Sequence, residues 1–306
     1  MRHRALPVAV ALAMTIAACG GEAASTTTTT QLPTSTTTAP TTTTEATTTT
    51  TVASTTTTSP ETTQPEAADT WAVVLVAPDD VLNVRDEPLG EIVSTLDPTA
   101  TGVTTTGSTD TLDDGALWRE VETDGETGWV NSRFLAEEID DDTFASTAPE
   151  ALTYALTSWA QNGSGADWES VVGPKGFNVI HFDAIKTWPP SQNPFLDQTV
   201  YDWGGEATGP GQPVASDTFA NQVGASFAGV VGDQDLQTAT NQPLQGPEAA
   251  PPFIPTQFQN FDYIAFHDPG DDPSVDGLDW TTWYVYFDWT GSSWVLVGMS
   301  LDAWAP

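Results

Sequence analysis

The uneven distribution of tryptophan confines folded structure to the part of the chain after residue 70. All 12 tryptophans lie at or after Trp71, whereas residues 26–63 contain 24 threonines. Such a threonine-rich segment has too few large apolar side chains to offset the entropy that folding removes. We therefore predict a disordered N-terminal region, with a Thr-rich tether over residues 19–69, and folded structure from residue 70 onward.

The first 18 residues have the pattern of a secretory signal peptide. Two arginines near the start precede an apolar stretch that runs to residue 18. The stretch ends in Ile-Ala-Ala before Cys19, the only cysteine of the chain, and this junction resembles the lipobox of bacterial lipoproteins. The resemblance implies cleavage before Cys19 and acylation of that residue. We therefore expect an exported protein that is anchored through Cys19 in the lipid bilayer, at the outer face of the bacterial cell membrane.

The charge balance excludes one large class of partners. Acidic residues outnumber basic ones 42 to 7, and two of the bases lie in the expected signal peptide. A surface this acidic repels phosphate, so we expect no nucleic-acid partner. It also favours a cationic or neutral ligand over a polyanion. A single cysteine excludes an intramolecular disulfide and a cysteine-built zinc site.

Residues 70–137 alternate short apolar runs with turn residues, which indicates a small β-protein. The runs cover residues 81–85, 92–96, 102–106, 117–122 and 128–135. Five short strands in a segment of this size predict a small all-β barrel. Three motifs resemble a bacterial SH3-like domain, namely Leu82-Asn83-Val84-Arg85, Trp118-Arg119-Glu120-Val121 and the stretch from Thr127 to Leu135. The resemblance implies binding of an envelope component.

Three residues of this segment are candidates for ligand binding. Trp118 and Trp129 can offer aromatic faces to a peptide, although in so small a barrel either ring can equally belong to the core. Arg85 can pair with a peptide carboxylate. Its alternative role is to neutralise the acidic residues that follow it in the sequence, Asp86 and Glu87.

A second folded domain is expected over residues 147–306, after an acidic connector over residues 138–146. Thr147 and Glu150 have the spacing of a capping box. Apolar residues then recur at helical intervals up to Asn162. Three strand patterns follow near the C-terminus, over residues 261–266, 280–288 and 294–301, the last two separated by a hairpin loop. Helices before an antiparallel meander predict an α+β domain, with the helices packed on the sheet.

This domain has a resemblance of its own. Four pieces carry it, namely residues 172–177, 201–204, 279–282 and 294–298, the last followed by Asp302-Ala303-Trp304. Together they resemble an uncharacterised bacterial extracytoplasmic domain that is found in lipoproteins and beside SH3-like modules. The resemblance implies a compartment and a folding unit, and it implies no reaction.

An acidic loop in the second domain is a candidate for calcium. Its ligands would be Asp268, Asp271, Asp272 and Asp276, with glycines between them. Carboxylate oxygens on a turning loop suit Ca²⁺, but the spacing does not match an EF-hand. The alternative is a solvated loop in an acidic protein. No other cofactor is expected.

Two further groups of residues have candidate roles. His181 and His267 are the only histidines after the signal peptide, and either can serve as a general base if Asp279 orients it. Along residues 280–289, alternation puts Tyr284 and Tyr286 on one face of a strand and Trp283 on the other. We expect the tryptophan face to be core and the tyrosine face to line a ligand cleft.

These observations favour a membrane-anchored binding protein whose SH3-like domain recognises a cell-wall peptide, a glycan or another envelope protein. The alternatives are a cell-wall hydrolase, with the C-terminal domain catalytic, and a calcium-dependent adhesion module. Because the chain lacks a nucleophile-elbow motif and a zinc-ligand cluster, binding is favoured over catalysis.

Overall fold

Strands make up most of the folded chain. The computed structural model describes residues 70–303 except 124, 163–167, 183, 205–215, 247–252, 271, 273, 276 and 277. This part of the chain is mostly β-sheet with few helices. Within it, no helix is long and apolar enough to cross a membrane. The expected signal peptide, Cys19 and the tether lie outside the described residues.

The first seven strands form one sheet, which we call the N-terminal sheet. They are β1 Thr70–Val73, β2 Leu82–Arg85, β3 Ile92–Leu96, β4 Val103–Thr111, β5 Leu117–Thr123, β6 Glu126–Asn131 and β7 Leu135–Glu137. Their order in the sheet is β3-β2-β6-β5-β4-β1-β7. Leu82 and Val84 alternate inward along β2, and they pack with Val121 and Val130 from β5 and β6 in a small apolar core. The sheet curls around this core.

A second sheet, which we call the C-terminal sheet, contains six strands. They are β8 Phe177–His181, β9 Ala184–Trp188, β12 Gln237–Thr240, β13 Asp262–Asp268, β14 Thr281–Trp289 and β15 Trp294–Ala303. Their order is β12-β13-β14-β15-β8-β9. All neighbours are antiparallel except β15 and β8, which run parallel. Two short strands, β10 Tyr201–Asp202 and β11 Ser216–Asp217, pair separately.

The described helices lie against one face of the C-terminal sheet, which we call the helix-covered face. They are α1 Asp141–Thr147, α2 Glu150–Asn162, α3 Trp168–Val171 and α4 Ala225–Val231, the last preceded by a π-helical turn over Ala220–Gly224. Phe144 of α1, Leu156 of α2 and Phe227 of α4 join Trp283 and Phe287 of β14 in the largest core. This core is rich in edge-to-face aromatic pairs, such as Phe144 with Trp294 at 5.0 Å.

The segment over residues 138–146 contains most of α1. Asp140 caps this helix by accepting a hydrogen bond from the Thr143 amide at 2.9 Å, and Phe144 is fully buried. The expected capping box at Thr147 is wrong, because Thr147 is the last residue of α1. Its hydroxyl instead accepts a hydrogen bond from the Trp294 indole at 3.0 Å.

The opposite face of the C-terminal sheet, the sheet-covered face, packs against the N-terminal sheet. Val74 and Ala136 share a buried cluster with Tyr284 and Tyr286 of β14. Backbone contacts reinforce this packing, since the Leu75 amide donates to the Gln257 carbonyl at 2.8 Å. Both sheets therefore belong to one compact unit.

One glycine allows the parallel strands β8 and β15 to approach. A Cβ added to Gly298 would lie 2.0 Å from the carbonyl oxygen of Asn178 and 3.1 Å from the ring of Phe258. Any side chain at this position would push β8 and the segment before β13 away from β15. Gly298 therefore fixes the position of β8 and, with it, of the edge strand β9.

Candidate functional site

A cleft of about 520 Å³ opens where the two sheets meet, and we call it the interface cleft. One wall comes from the N-terminal sheet and the loops beside it, and the other from β8, β9 and the turn over Thr256–Phe258. The cleft combines apolar surface with amide, hydroxyl and guanidinium groups. Its polar lining residues are Asn131, Arg133, Asn178, Thr187 and Gln257.

A short 3₁₀ turn over Ser132–Phe134 builds the first wall. Asn131 caps this turn by accepting a hydrogen bond from the Arg133 amide at 2.9 Å. The turn holds Arg133 exposed at the mouth of the cleft and Phe134 half-buried beside it. Leu75 lies on the same wall in a left-handed conformation, with φ 58°.

Strands β8 and β9 build the second wall. Asn178 is buried, and its side-chain amide donates to the Val297 carbonyl at 3.1 Å while it accepts from the Thr187 hydroxyl at 2.9 Å. These two bonds fix the Asn178 amide and the Thr187 side chain together. Beside them Ile180 is buried, whereas Ile185 is 56% exposed. The wall is thus rigid at its base and apolar at its rim.

The turn over Thr256–Phe258 closes the floor. Phe258 stacks on the Tyr286 ring at a centroid distance of 4.3 Å, which ties the cleft to the core. Close by, the Asn260 side chain donates to the Val73 carbonyl at 2.9 Å. The floor is therefore held by both sheets, and the cleft does not need a ligand to exist.

Local charge at the cleft differs from the charge of the whole chain. Five basic residues follow the expected signal peptide. Lys175 forms a buried ion pair with Asp288, Arg119 stacks on Trp71 at 4.3 Å, and Arg85 donates to the Gly90 carbonyl at 2.6 Å. Of the remaining two, Arg133 lines the cleft. Lys186 is on β9, but its side chain lies on the other face of the sheet, over the Tyr201 ring.

The residues predicted to bind a ligand in the first segment do not line this cleft. Trp118 is buried at 5% exposure, which makes it a packing residue. Trp129 is half-buried and pairs with Arg85 across β6 and β2. Arg85 closes the turn between β2 and β3 through Gly90, so its hydrogen bond is to a backbone carbonyl and not to Asp86 or Glu87.

Tyr284 and Tyr286 are fully buried, so the structure does not support the prediction that they line a ligand cleft. The alternation was predicted correctly, but a second layer of chain covers the tyrosine face. The Tyr284 hydroxyl donates to the Leu244 carbonyl at 3.0 Å, and the Tyr286 hydroxyl lies 2.7 Å from the Ser300 hydroxyl. Burial also raises the pKa of Tyr286 well above its usual range.

The two histidines do not meet. Two strands, β14 and β15, separate β13 from β8 in the sheet. His181 contacts Trp283 on the helix-covered face, whereas His267 bonds Thr282 at 2.8 Å on the sheet-covered face. Burial lowers the pKa of His267. The two histidines therefore cannot act together as a catalytic pair. Asp279, the aspartate that was predicted to orient one of them, is exposed and accepts a hydrogen bond from the Asp272 amide at 3.0 Å.

The acidic loop uses its described carboxylates to hold its own backbone. Asp268 accepts from the Gly270 amide and Asp272 from the Ser274 amide, both at 2.8 Å. Within the described residues no group of three potential metal ligands comes together. The other two candidates, Asp271 and Asp276, lie outside the described residues.

Sequence reasoning missed the residues that line the interface cleft. Asn178, Thr187 and Gln257 have no motif that distinguishes them from other amides and hydroxyls. Arg133 could have been predicted, because it is one of only five basic residues after the expected signal peptide and lies in the SH3-like motif from Thr127 to Leu135. The scarcity of basic residues is the sequence signal by which Arg133 could have been identified.

A second cleft, of about 430 Å³, lies between α2 and the edge strand β12. Thr153, Thr157 and the largely exposed Tyr154 line it from the helix, and Ile264 and Phe266 line it from the sheet. Its only charged lining residue is Glu150. Nothing in it differs from an ordinary gap between a helix and a sheet edge.

Comparisons of this chain with protein-family models, with curated proteins and with solved structures found no match.

Proposed function

We propose that this protein is an exported binding protein, lipid-anchored through Cys19, whose interface cleft takes a cell-wall peptide or glycan. The observation that carries the proposal is the cleft itself. It is about 520 Å³ in volume and combines fixed amide and hydroxyl groups with an apolar rim. Ligand sites have this size and this mixture of apolar surface with a few oriented polar groups.

The finer identity of the two regions is part of the same proposal. We assign residues 70–137 as an SH3-like barrel and residues 147–306 as an α+β domain. The curled N-terminal sheet supports the first assignment, and the helices packed on the C-terminal sheet support the second. Asn131, Arg133 and Phe134, which line the cleft, belong to the motif that resembles the SH3-like family.

Binding is preferred to hydrolysis for a chemical reason. The described residues that line the interface cleft include no histidine, cysteine, serine, aspartate or glutamate. These are the side chains that most often act as nucleophile or general base in hydrolysis. Asparagine, glutamine, threonine and arginine are instead suited to hold peptide or sugar groups by hydrogen bonds.

The test is binding of the full chain, purified in detergent, to isolated cell-wall sacculi. We expect wild-type protein to sediment with sacculi and the Arg133→Gln variant to sediment several-fold less. Arg85→Gln is the matched control, because it removes the same charge outside the cleft. Equal recovery of all three proteins would refute the site, and release of soluble wall fragments over hours would favour the hydrolase instead.

The proposed anchor has a separate test. Replacing Cys19 by alanine removes the only thiol that can be acylated, so the variant should fail to incorporate a radiolabelled fatty acid. A Ser25→Ala variant leaves the thiol in place and should be labelled like wild type. Absence of label from the wild-type protein, or equal labelling of the Cys19→Ala protein, would exclude lipid anchoring through Cys19.

A further inference from the structure

Among the described strands, β9 forms one edge of the C-terminal sheet, and it runs along the interface cleft. Two residues join β8 to β9, and His181 pairs with Ala184 across that turn. Phe182 has φ 53°, as the first position of a type I′ turn requires. The closing pair of such a hairpin exchanges both of its backbone hydrogen bonds, and bonded and non-bonded pairs then alternate. The backbone groups of Ile185 and Thr187 therefore point away from β8, toward the open edge.

The side chains of the same two residues face the cleft. Ile185 and Thr187 pair with Ile180 and Asn178, which lie on the sheet-covered face, and all four line the cleft. Ile185 is 56% exposed, and Leu75 and Phe134 lie on the opposite wall. A strand added beside β9 would therefore direct every second side chain into the cleft.

Charge distinguishes this edge from the other edge of the same sheet. Arg133 lines the cleft. Lys186 is on β9 itself, but its side chain lies on the other face of the sheet, 5.7 Å above the Tyr201 ring. At the opposite edge, β12 follows Asp233 and Asp235 and ends beside Asn241, which bonds Asp141 and Asp262. In a chain with few bases, Arg133 therefore attracts a carboxylate to the cleft beside β9, whereas the acidic groups around β12 repel one.

We propose that β9 binds an extended peptide as an additional strand, and that Arg133 binds a carboxylate of that peptide. The proposal rests on the proposed function and names the ligand class of the same cleft. Backbone hydrogen bonds to Ile185 and Thr187 supply affinity, and the cleft selects alternate side chains. The guanidinium donates two hydrogen bonds to the carboxylate, which fixes where the peptide ends or where its acidic residue lies.

The first experiment selects ligands from a bead library of random hexapeptides that are attached through their N-termini, so that each carries a free C-terminal carboxylate. The full chain in detergent should enrich a subset of sequences. An enriched peptide, resynthesised, should lose about tenfold in affinity when its carboxylate is converted to an amide. No enrichment from the library would overturn the proposal.

Variants then test each half of the proposal. Arg133→Gln should weaken the carboxylate peptide by the same factor and leave the amide peptide unaffected, while Arg85→Gln should change neither. Ile185→Pro removes an outward N–H without removing a hydrogen bond to β8 and should abolish binding, and Ile185→Val, which keeps that N–H, should retain it. Thermal unfolding of each variant checks that it is folded. Binding that survives Ile185→Pro, or a peptide N-methylated at alternate residues that binds as well as the parent, would overturn strand addition.

These outcomes are separable from those of the proposed function. If sacculus binding depends on Arg133 but is unchanged by Ile185→Pro, the cleft is a ligand site and strand addition is wrong. If sacculus binding is absent while hexapeptides bind with the expected variant pattern, β9 takes peptides and the wall is not their source.

Discussion

The two faces of the C-terminal sheet are equally buried but are covered by different chemistry. On the helix-covered face, Trp283 and Phe287 meet aromatic rings from helices, such as Phe227 and Phe144. On the sheet-covered face, alternate residues of the same strand end in polar atoms, as Tyr284, Tyr286 and Asp288 do. Both faces are therefore stabilised by burial of apolar area, but the sheet-covered face also buries polar groups, which cost free energy unless they are hydrogen-bonded.

Several polar atoms of the sheet-covered face have a hydrogen-bond partner, but Asp288 Oδ1 and Trp280 Nε1 have none among the described residues. The hydroxyls of Thr282 and Tyr284 both donate to the Leu244 carbonyl, at 3.1 and 3.0 Å. Asp288 bonds Lys175 through Oδ2, but its Oδ1 is buried with no hydrogen bond among the described residues. Burial raises the pKa of the Asp288 carboxyl, and the Lys175 and Arg119 charges oppose that shift. This carboxyl depends on its cations more than any other group on the face.

Loss of Lys175 should produce the largest effect. Lys175→Met keeps the apolar stem but leaves Asp288 buried without its partner, which typically costs about 3–5 kcal/mol of the free energy of unfolding. Urea denaturation of wild type and variant measures the difference. The double variant Lys175→Met/Asp288→Leu is the control, and it should recover most of the loss because it removes both buried charges. A loss below 1 kcal/mol in the single variant would mean that Arg119 alone neutralises Asp288.

Asp262 is the polar exception near the helix-covered face. Burial raises its pKa to about 6, and the charges of Asp141 and Asp288 add to the shift. The ordinary value of 3.8 applies in the unfolded chain. Well below pH 3.8 both states are protonated. Between pH 3.8 and about 6 the unfolded chain releases the proton while the folded state keeps it, so stability falls over this window and levels off above pH 6. Asp262 should therefore cost about 3 kcal/mol of stability at pH 7.5 and almost nothing at about pH 3.

Replacing Asp262 by asparagine tests this pH dependence. Asp262→Asn keeps an oxygen for the Asn241 amide, which donates to Asp262 at 2.7 Å, and it removes the charge. The variant should be about 3 kcal/mol more stable than wild type at pH 7.5 and equal to it at about pH 3. Urea midpoints across this range measure the difference, and a gain that does not vary with pH would show that ionisation is not its cause.

Substitutions of Phe144 test how the helix-covered face is stabilised. Phe144→Leu removes ring contacts with Trp294 and Phe287 but introduces no polar atom. Because apolar cores tolerate apolar exchange, we expect a loss of only about 1.5 kcal/mol. Phe144→Asn, of similar size to leucine, should cost several times more. Equal losses in the two variants, measured by urea denaturation, would mean that α1 is not firmly packed on the sheet.

Sequence patterns predicted the bounds of the strands better than they predicted which layer of the protein packs on each face of the sheet. The meander was predicted as residues 261–266, 280–288 and 294–301, within two residues of the observed bounds of β13, β14 and β15. Period-2 alternation fixes which residues share a face, and the side chains of β14 follow it. It does not say whether a face meets solvent or another layer, because tyrosine suits both.

Long-range contacts account for the parts that no pattern predicted. Strand β8 is buried at every position, so it has no alternation to distinguish it from a helix segment. The interface cleft exists because Gly298 lets β8 approach β15, and because Asn260 joins the floor to Val73, 187 residues earlier in the chain. Neither contact can be read from local sequence. In residues 138–146 the acidic side chains likewise conceal helix α1, whose Phe144 is fully buried in the core.

The smallest expected effect comes from a single hydroxyl on the sheet-covered face. Tyr286→Phe removes the hydroxyl that lies 2.7 Å from Ser300 and keeps the ring that stacks on Phe258. We expect a loss of about 1 kcal/mol, because the Ser300 hydroxyl is left buried without this partner. The double variant Tyr286→Phe/Ser300→Ala removes both hydroxyls and should recover part of that loss. If the single variant is instead as stable as wild type, the hydrogen bond between Tyr286 and Ser300 does not contribute to stability. Burial of apolar area would then account for the stability of both faces of the sheet.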